Sequence, residues 1–88
     1  MASVTDQSDG YAVVRVSGPK ARDVLAKGFP IDLHHRAFGP ADVASTQVAY
    51  MGATLWQVDD APTFEIALFR SFAGSFEHWL TESAAEFI

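Results

Sequence analysis

The stretch YAVVRVSGPKARDVLAKG, Tyr11 to Gly28, decides how the rest of the chain is read. Ala12, Val14 and Val16 alternate with Tyr11, Val13 and Arg15, the two-residue period of a strand with one buried face. Ser-Gly-Pro breaks the period. After it, Ala21, Val24 and Leu25 fall at i, i+3 and i+4, the stripe of a helix packed on a core. Ser17 or Gly18 is positioned to cap that helix, and Pro19 sits in its first turn, where proline is tolerated. Gly28 is expected to end it in a left-handed cap, with Phe29 folding back onto Val24, and Pro30 prevents continuation. A strand turning through glycine into a helix can also cradle phosphate. A phosphate loop needs several glycines and a Lys-Ser/Thr pair, and a dinucleotide fingerprint needs three spaced glycines. Here one glycine precedes a proline, which removes an N–H that could bind an anion. The stretch therefore reads as a strand-to-helix corner.

Working outward, MASVTDQSDG is an extended lead-in that ends in a turn at Asp9-Gly10. IDLHHRAFGPAD, Ile31 to Asp42, is irregular, with a turn signal at Gly39-Pro40. VASTQVAYM and ATLWQV flank Gly52 and read as paired antiparallel strands. DDAP, Asp59 to Pro62, is a tight turn. TFEIALF places Phe64, Ile66 and Leu68 on one side of a further strand. Ser71 is a candidate cap for a last helix whose apolar stripe is Phe72, Phe76, Trp79, Leu80 and Phe87, with Glu77, Glu82 and Glu86 off it. The order β-α-β-β-β-α predicts an α+β two-layer sandwich: a mainly antiparallel sheet with two helices on one face, residues 1–88 forming a single domain.

The 88 residues contain no cysteine, so neither a disulfide frame nor a thiolate metal site is available. A chain this short buries only roughly 60–65% of the surface its unfolded form exposes. Yet 49% of its residues are apolar, with seven Phe and two Trp, more apolar surface than so thin a domain covers easily. A partner surface is expected. The net charge of −5 and six scattered Lys/Arg leave no basic stripe for nucleic acid. The N-terminus lacks a signal-peptide pattern, and no apolar run approaches a membrane span. These features suit a cytoplasmic protein.

Candidate chemistry is sparse. His34 and His35 are adjacent, so on extended chain they point to opposite sides, and His78 is remote; three or four suitably spaced metal ligands are missing. Asp59-Asp60 suit a turn better than a catalytic cleft, and Asp6 and Asp9 are turn and cap formers. Ser17, Ser45, Ser71, Ser75 and Ser83 lack a nucleophile motif. The stripe Phe72, Phe76, Trp79 reads as core. Trp56 and Phe69 differ. Alternation turns both away from the helices, Trp56 with Thr54 and Val58, Phe69 with Glu65 and Ala67. That sheet face is the expected protein contact.

VTDQSDGYAVVRVSGPKARDVLAKGFPIDL, followed by AFGP, resembles part of the γ subunit of heterotetrameric sarcosine oxidase. The lead TDQSDG, the strand into SGP, the helix ending VLAKG and the following DL match in order and spacing. TFEIALFRSFAGSFEHWL resembles that family's C-terminal strand and helix, including the Phe69-Arg70-Ser71 junction. The resemblance runs from about Val4 to Phe87 and covers the C-terminal half of such a subunit; its fold group is that of folate-binding aminomethyltransferases. It implies a complex that oxidatively demethylates sarcosine to glycine with FAD, FMN, NAD and tetrahydrofolate, all carried by the larger α and β subunits. The γ chain would hold the assembly together without cofactor or catalytic residue of its own, through Tyr11, Trp56, Phe69 and Arg70. The alternatives are a folate-binding or aminomethyl-transferring domain and a stand-alone ligand-sensing module. Family members are substantially longer than this chain. The expectation is that the isolated chain forms a homo-oligomer, a second copy covering what the other half would cover.

Overall fold

The computed structural model of the chain describes residues 2–7, 10–33, 38–48, 50–60 and 62–85. Strands β1 (Ala2–Gln7), β2 (Tyr11–Ser17), β3 (Val43–Val48), β4 (Met51–Asp59) and β5 (Thr63–Phe69) form one sheet in the order β1-β2-β5-β4-β3. Every neighbouring pair is antiparallel. Helix α1 (Ala21–Ala26) follows β2; a 3₁₀ turn (Arg70–Phe72) leads from β5 into α2 (Ala73–Ala84). This is the α+β sandwich expected, with one addition. The extended lead-in pairs with β2 and becomes the edge strand β1, because Val4 faces Val14 and Ala2 faces Val16 in register.

Strand alternation does what the sequence implied. Ala12, Leu68 and Ala53 lie side by side across β2, β5 and β4; Val14, Ile66 and Leu55 form the next row, and Val16, Phe64 and Gln57 the third. All nine are buried. Against them pack Val24 and Leu25 of α1, and Phe76 and Leu80 of α2. Gln57 is the polar exception, 2% exposed, its amide nitrogen donating to the Asp59 carbonyl at 2.8 Å.

Several local expectations are corrected. Neither Ser17 nor Gly18 caps α1. Gly18 adopts φ 117°, its N–H donates to Pro62 O, and its own carbonyl accepts from Ala21 N–H, so Pro19 and Lys20 complete a turn before the helix begins. Ser71 does not cap α2. The 3₁₀ turn tightens the entry instead, Ala73 N–H donating to Arg70 O. Gly52 does not make the β3–β4 turn. It lies within β4 opposite Gln47, and the β3–β4 ladder ends at the Val48–Met51 pair, with Tyr50 at φ 67°. Positive φ is what a two-residue hairpin turn requires. Gly28 is not left-handed. The N–H groups of Gly28 and Phe29 both reach Leu25 O, and the residue is glycine for lack of room. A Cβ there would collide with the Trp79 ring and lie 2.8 Å from Val48 Cγ2.

The irregular connection is tied by Arg22. Its Nη1 donates to Leu33 O at 2.6 Å and Phe38 O at 3.1 Å, and its guanidinium lies 5.4 Å from the Phe64 ring centroid. One side chain thus satisfies two carbonyls that no strand or helix takes up, and adds a cation–π contact. At the Gly39-Pro40 turn, Gly39 N–H donates to Asp42 Oδ2 and Asp42 N–H to Gly39 O. Phe29 is buried edge-on between Phe76 and Trp79, with centroids at 6.4 and 6.2 Å.

The two helix-associated glycines give a paired test. Gly28→Ala should lower stability by about 1–3 kcal/mol through overpacking against Trp79. Gly74→Ala in α2, where an added Cβ meets nothing within 4 Å, should raise it by about 0.4–1 kcal/mol. Urea unfolding read by circular dichroism checks both signs.

Candidate interaction face

Both helices lie on one side of the sheet, so the residues between the buried ones point the other way. The outer rows follow from register. Tyr11 pairs with Phe69, and Gly52 pairs with Gln47 beside them. Val13, Ala67, Thr54 and Ser45 make the next row. Arg15, Glu65, Trp56 and Val43 make the third.

The first row carries a ridge. The Tyr11 and Phe69 rings stack with centroids 5.2 Å apart, and they are 54% and 51% exposed. The Phe72 ring lies edge-on to Phe69, with centroids 6.0 Å apart. Arg70 is exposed at the same corner; its backbone N–H donates to Gly10 O at 3.0 Å, which pins the exit of β5 to the start of β2. Beside the ridge the small residues leave a hollow of about 280 Å³, bordered by Tyr11, Phe69, Gly52, Thr54, Ser45 and Ala67. Gly52 supplies no side chain next to Phe69, and Ser45 and Thr54 spend their hydroxyls on each other at 3.1 Å.

The third row is a polar ladder across three strands. Arg15 Nη2 donates to Glu65 Oε2 at 3.2 Å, and Trp56 Nε1 donates to Glu65 Oε1 at 3.1 Å. Glu65 thus neutralises the cation on one side and satisfies the indole on the other. Trp56 is half-buried. It stands four residues along the strands from the ridge, about 13 Å. The structure therefore joins Tyr11, Phe69 and Arg70 in one corner and places Trp56 on the same face but apart from them. Val58 is also exposed on β4. Alternation along single strands suggested that Trp56 and Phe69 share a face. It could not reveal the ladder or the hollow, which depend on which strands are neighbours.

The other chemical candidates are dispersed. Among the described residues no three His, Cys, Asp or Glu side chains gather to hold a metal ion. His34 and His35 lie outside the described residues, as do Phe87 and Glu86. His78 Nε2 and Glu82 Oε1 are 3.0 Å apart on the exposed side of α2. At the opening corner the Gly18 N–H is committed to Pro62 O, so it is not presented to an anion. A second cleft, about 400 Å³, runs between β1 and α2, lined by Ala2, Val4, Val14, Leu80, Ala84 and Glu77. No described helix is long and apolar enough to cross a membrane.

Replacing Glu65 by Ala strands the half-buried Trp56 N–H and unpairs Arg15. The expected loss is about 0.5–1.5 kcal/mol in urea unfolding, with Trp56 emission shifted to the red in a Trp79→Phe background.

The family model described as sarcosine oxidase, gamma subunit family, matches residues 1–86. The sarcosine oxidase subunit gamma of Corynebacterium sp. (strain P-1) is 37% identical over 84 residues, covering 96% of this chain and 41% of that protein. The subunit gamma of Corynebacterium sp. (strain U-96) is 34% identical over 84 residues, covering 96% of this chain and 40% of its own length. The chain spans about two fifths of the length of these curated relatives. Among solved structures, the heterotetrameric sarcosine oxidase from Corynebacterium sp. U-96 in complex with pyrrole 2-carboxylate superposes with a TM-score of 0.83 at 34% identity, covering 97% of this chain and 43% of that one. The strand order, the register and these likenesses run over the same residues, and the chain belongs to the sarcosine oxidase gamma subunit family.

Proposed function

We propose that the chain is a non-catalytic accessory subunit of a sarcosine oxidase-like complex, corresponding to the C-terminal half of a longer γ subunit. Its work is to hold larger α and β subunits together in the cytoplasm, and the complex demethylates sarcosine to glycine. The observation that carries this reading is the outer sheet face in a member of this family. Tyr11 and Phe69 expose more than half of their surface there, beside Arg70 and on the same face as Trp56. Stacked aromatic rings with an arginine at their corner are the residue types that anchor protein interfaces.

FAD, FMN, NAD and tetrahydrofolate belong, on this reading, to the larger subunits. The cleft between β1 and α2 does not fit them. In the cleft between β1 and α2 the carboxylate on offer, Glu77, is exposed, and the Thr81 hydroxyl is spent on Glu77 O at 2.9 Å. A folate or dinucleotide needs buried polar groups aimed at its ring or phosphates. We derive no step through these cofactors.

The test is co-expression of the tagged chain with the α and β subunits of a heterotetrameric sarcosine oxidase. The larger subunits should co-purify with it. Phe69→Asp should cut their recovery at least tenfold while the circular dichroism spectrum is unchanged, and Glu82→Gln on the opposite layer should not. Saturable binding of tetrahydrofolate by the chain alone would instead favour a folate-binding domain.

A further inference from the structure

The outer face has a shape that fits a second copy of itself. The Tyr11–Phe69 ridge stands directly beside the hollow at Gly52, Thr54 and Ala67, on the same flat side of the same sheet. A bump next to a hollow is self-complementary. If two copies meet face to face about a two-fold axis running between bump and hollow, each ridge enters the other's hollow at once. A partner of unrelated shape would have to supply both features in mirror order.

Charge points the same way. The chain carries −5 overall, and two copies meeting through an acidic face would repel. On the helix side Asp23, Glu77 and Glu82 are exposed, and Asp42, Asp59 and Asp60 sit exposed in or beside the turns. The outer face instead carries Glu65, paired with Arg15, and the corner adds Arg70. Register sets Asp6 of β1 opposite Val13 at the edge of this face, and, Glu65 apart, the other described acidic residues lie off the surface that would be buried. Size is adequate but not generous. Five strands about 4.8 Å apart and some seven residues long give a face of roughly 550 Å². That is near the lower bound, about 600 Å² per partner, of specific interfaces.

We infer that the chain pairs with a second copy of itself through the outer sheet face, the Tyr11–Phe69 ridge of each copy seated in the Gly52–Thr54–Ala67 hollow of the other. The inference uses the face assigned above to the larger subunits, so homodimer and complex are alternatives that compete. It does not need those subunits to be partners, since ridge, hollow and charge belong to this chain alone.

The experiment is sedimentation equilibrium of the purified chain from low to high micromolar concentration. The mass should rise toward twice 9.5 kDa. Phe69→Glu removes the ridge and Gly52→Arg fills the hollow, at a position where an added Cβ meets nothing within 4 Å. Each variant alone should remain monomeric and folded by circular dichroism. Mixed in equal amounts they should recover the dimer, because the new carboxylate of one meets the new guanidinium of the other. A wild-type chain that stays monomeric at every concentration overturns the inference, as do single variants that still dimerise or a mixture that does not. Should Phe69→Glu prove poorly folded, Tyr11→Glu carries the same test. Retained binding of α and β subunits by a chain that never self-associates would sink this inference and leave the accessory role standing.

Discussion

The structure depends on one constraint: β2, β5 and β4 are held in a register that puts all their apolar alternates in common rows. Ala12, Leu68 and Ala53, then Val14, Ile66 and Leu55, build a continuous floor under the helices. A slip of one residue in any strand would turn its apolar set to water and its polar set inward. Because the period is two, the same register also composes the opposite face. The ridge of Tyr11 and Phe69, the hollow at Gly52 and the ladder from Arg15 through Glu65 to Trp56 are by-products of the rows that make the core.

The two faces are treated unequally because both described helices lie on one side of the five described strands. α1 and α2 cover one side, and Gly28 lets the Trp79 ring close against α1 and Val48. Nothing among the described elements covers the other. Exposed aromatic rings on a sheet face lose no packing by meeting another surface and gain from leaving water. The polar ladder moderates this. It gives the face hydrogen bonds that are already satisfied, so burying it would leave neither the carboxylate nor the indole unpaired. A face that is apolar in one row and internally satisfied in another suits contacts that form and exchange.

Irregular segments carry a different kind of dependence. In the described parts of the connection after α1, Arg22 donates to two carbonyls while lying against Phe64. On α1, Arg22 stands beside the buried stripe of Ala21, Val24 and Leu25. Its role appears only when the loop returns over the sheet. Gln57 is a similar case. Its place on β4 is one the alternation assigns to the core; its amide nitrogen finds the Asp59 carbonyl at the strand's irregular end, while its buried Oε1 has no partner among the described residues.

Period and punctuation alone determined the elements: the strand at Tyr11, the short helix after Gly18, the hairpin strands, the strand from Thr63 and the final amphipathic helix, together with the face each residue takes. They did so because side-chain period is a local property of the backbone. The roles of Ser17, Ser71, Gly28 and Gly52 differ from those the local pattern implies, for the converse reason. Caps and turns depend on a hydrogen-bond partner or an atom of free space, and these were set by Pro62, Arg70, Trp79 and the β3–β4 register. Only the tertiary structure decided that β5 lies between β2 and β4. From that insertion came the neighbours that make a ridge, a hollow and a ladder, because strand order is fixed by long-range burial and not by any single segment.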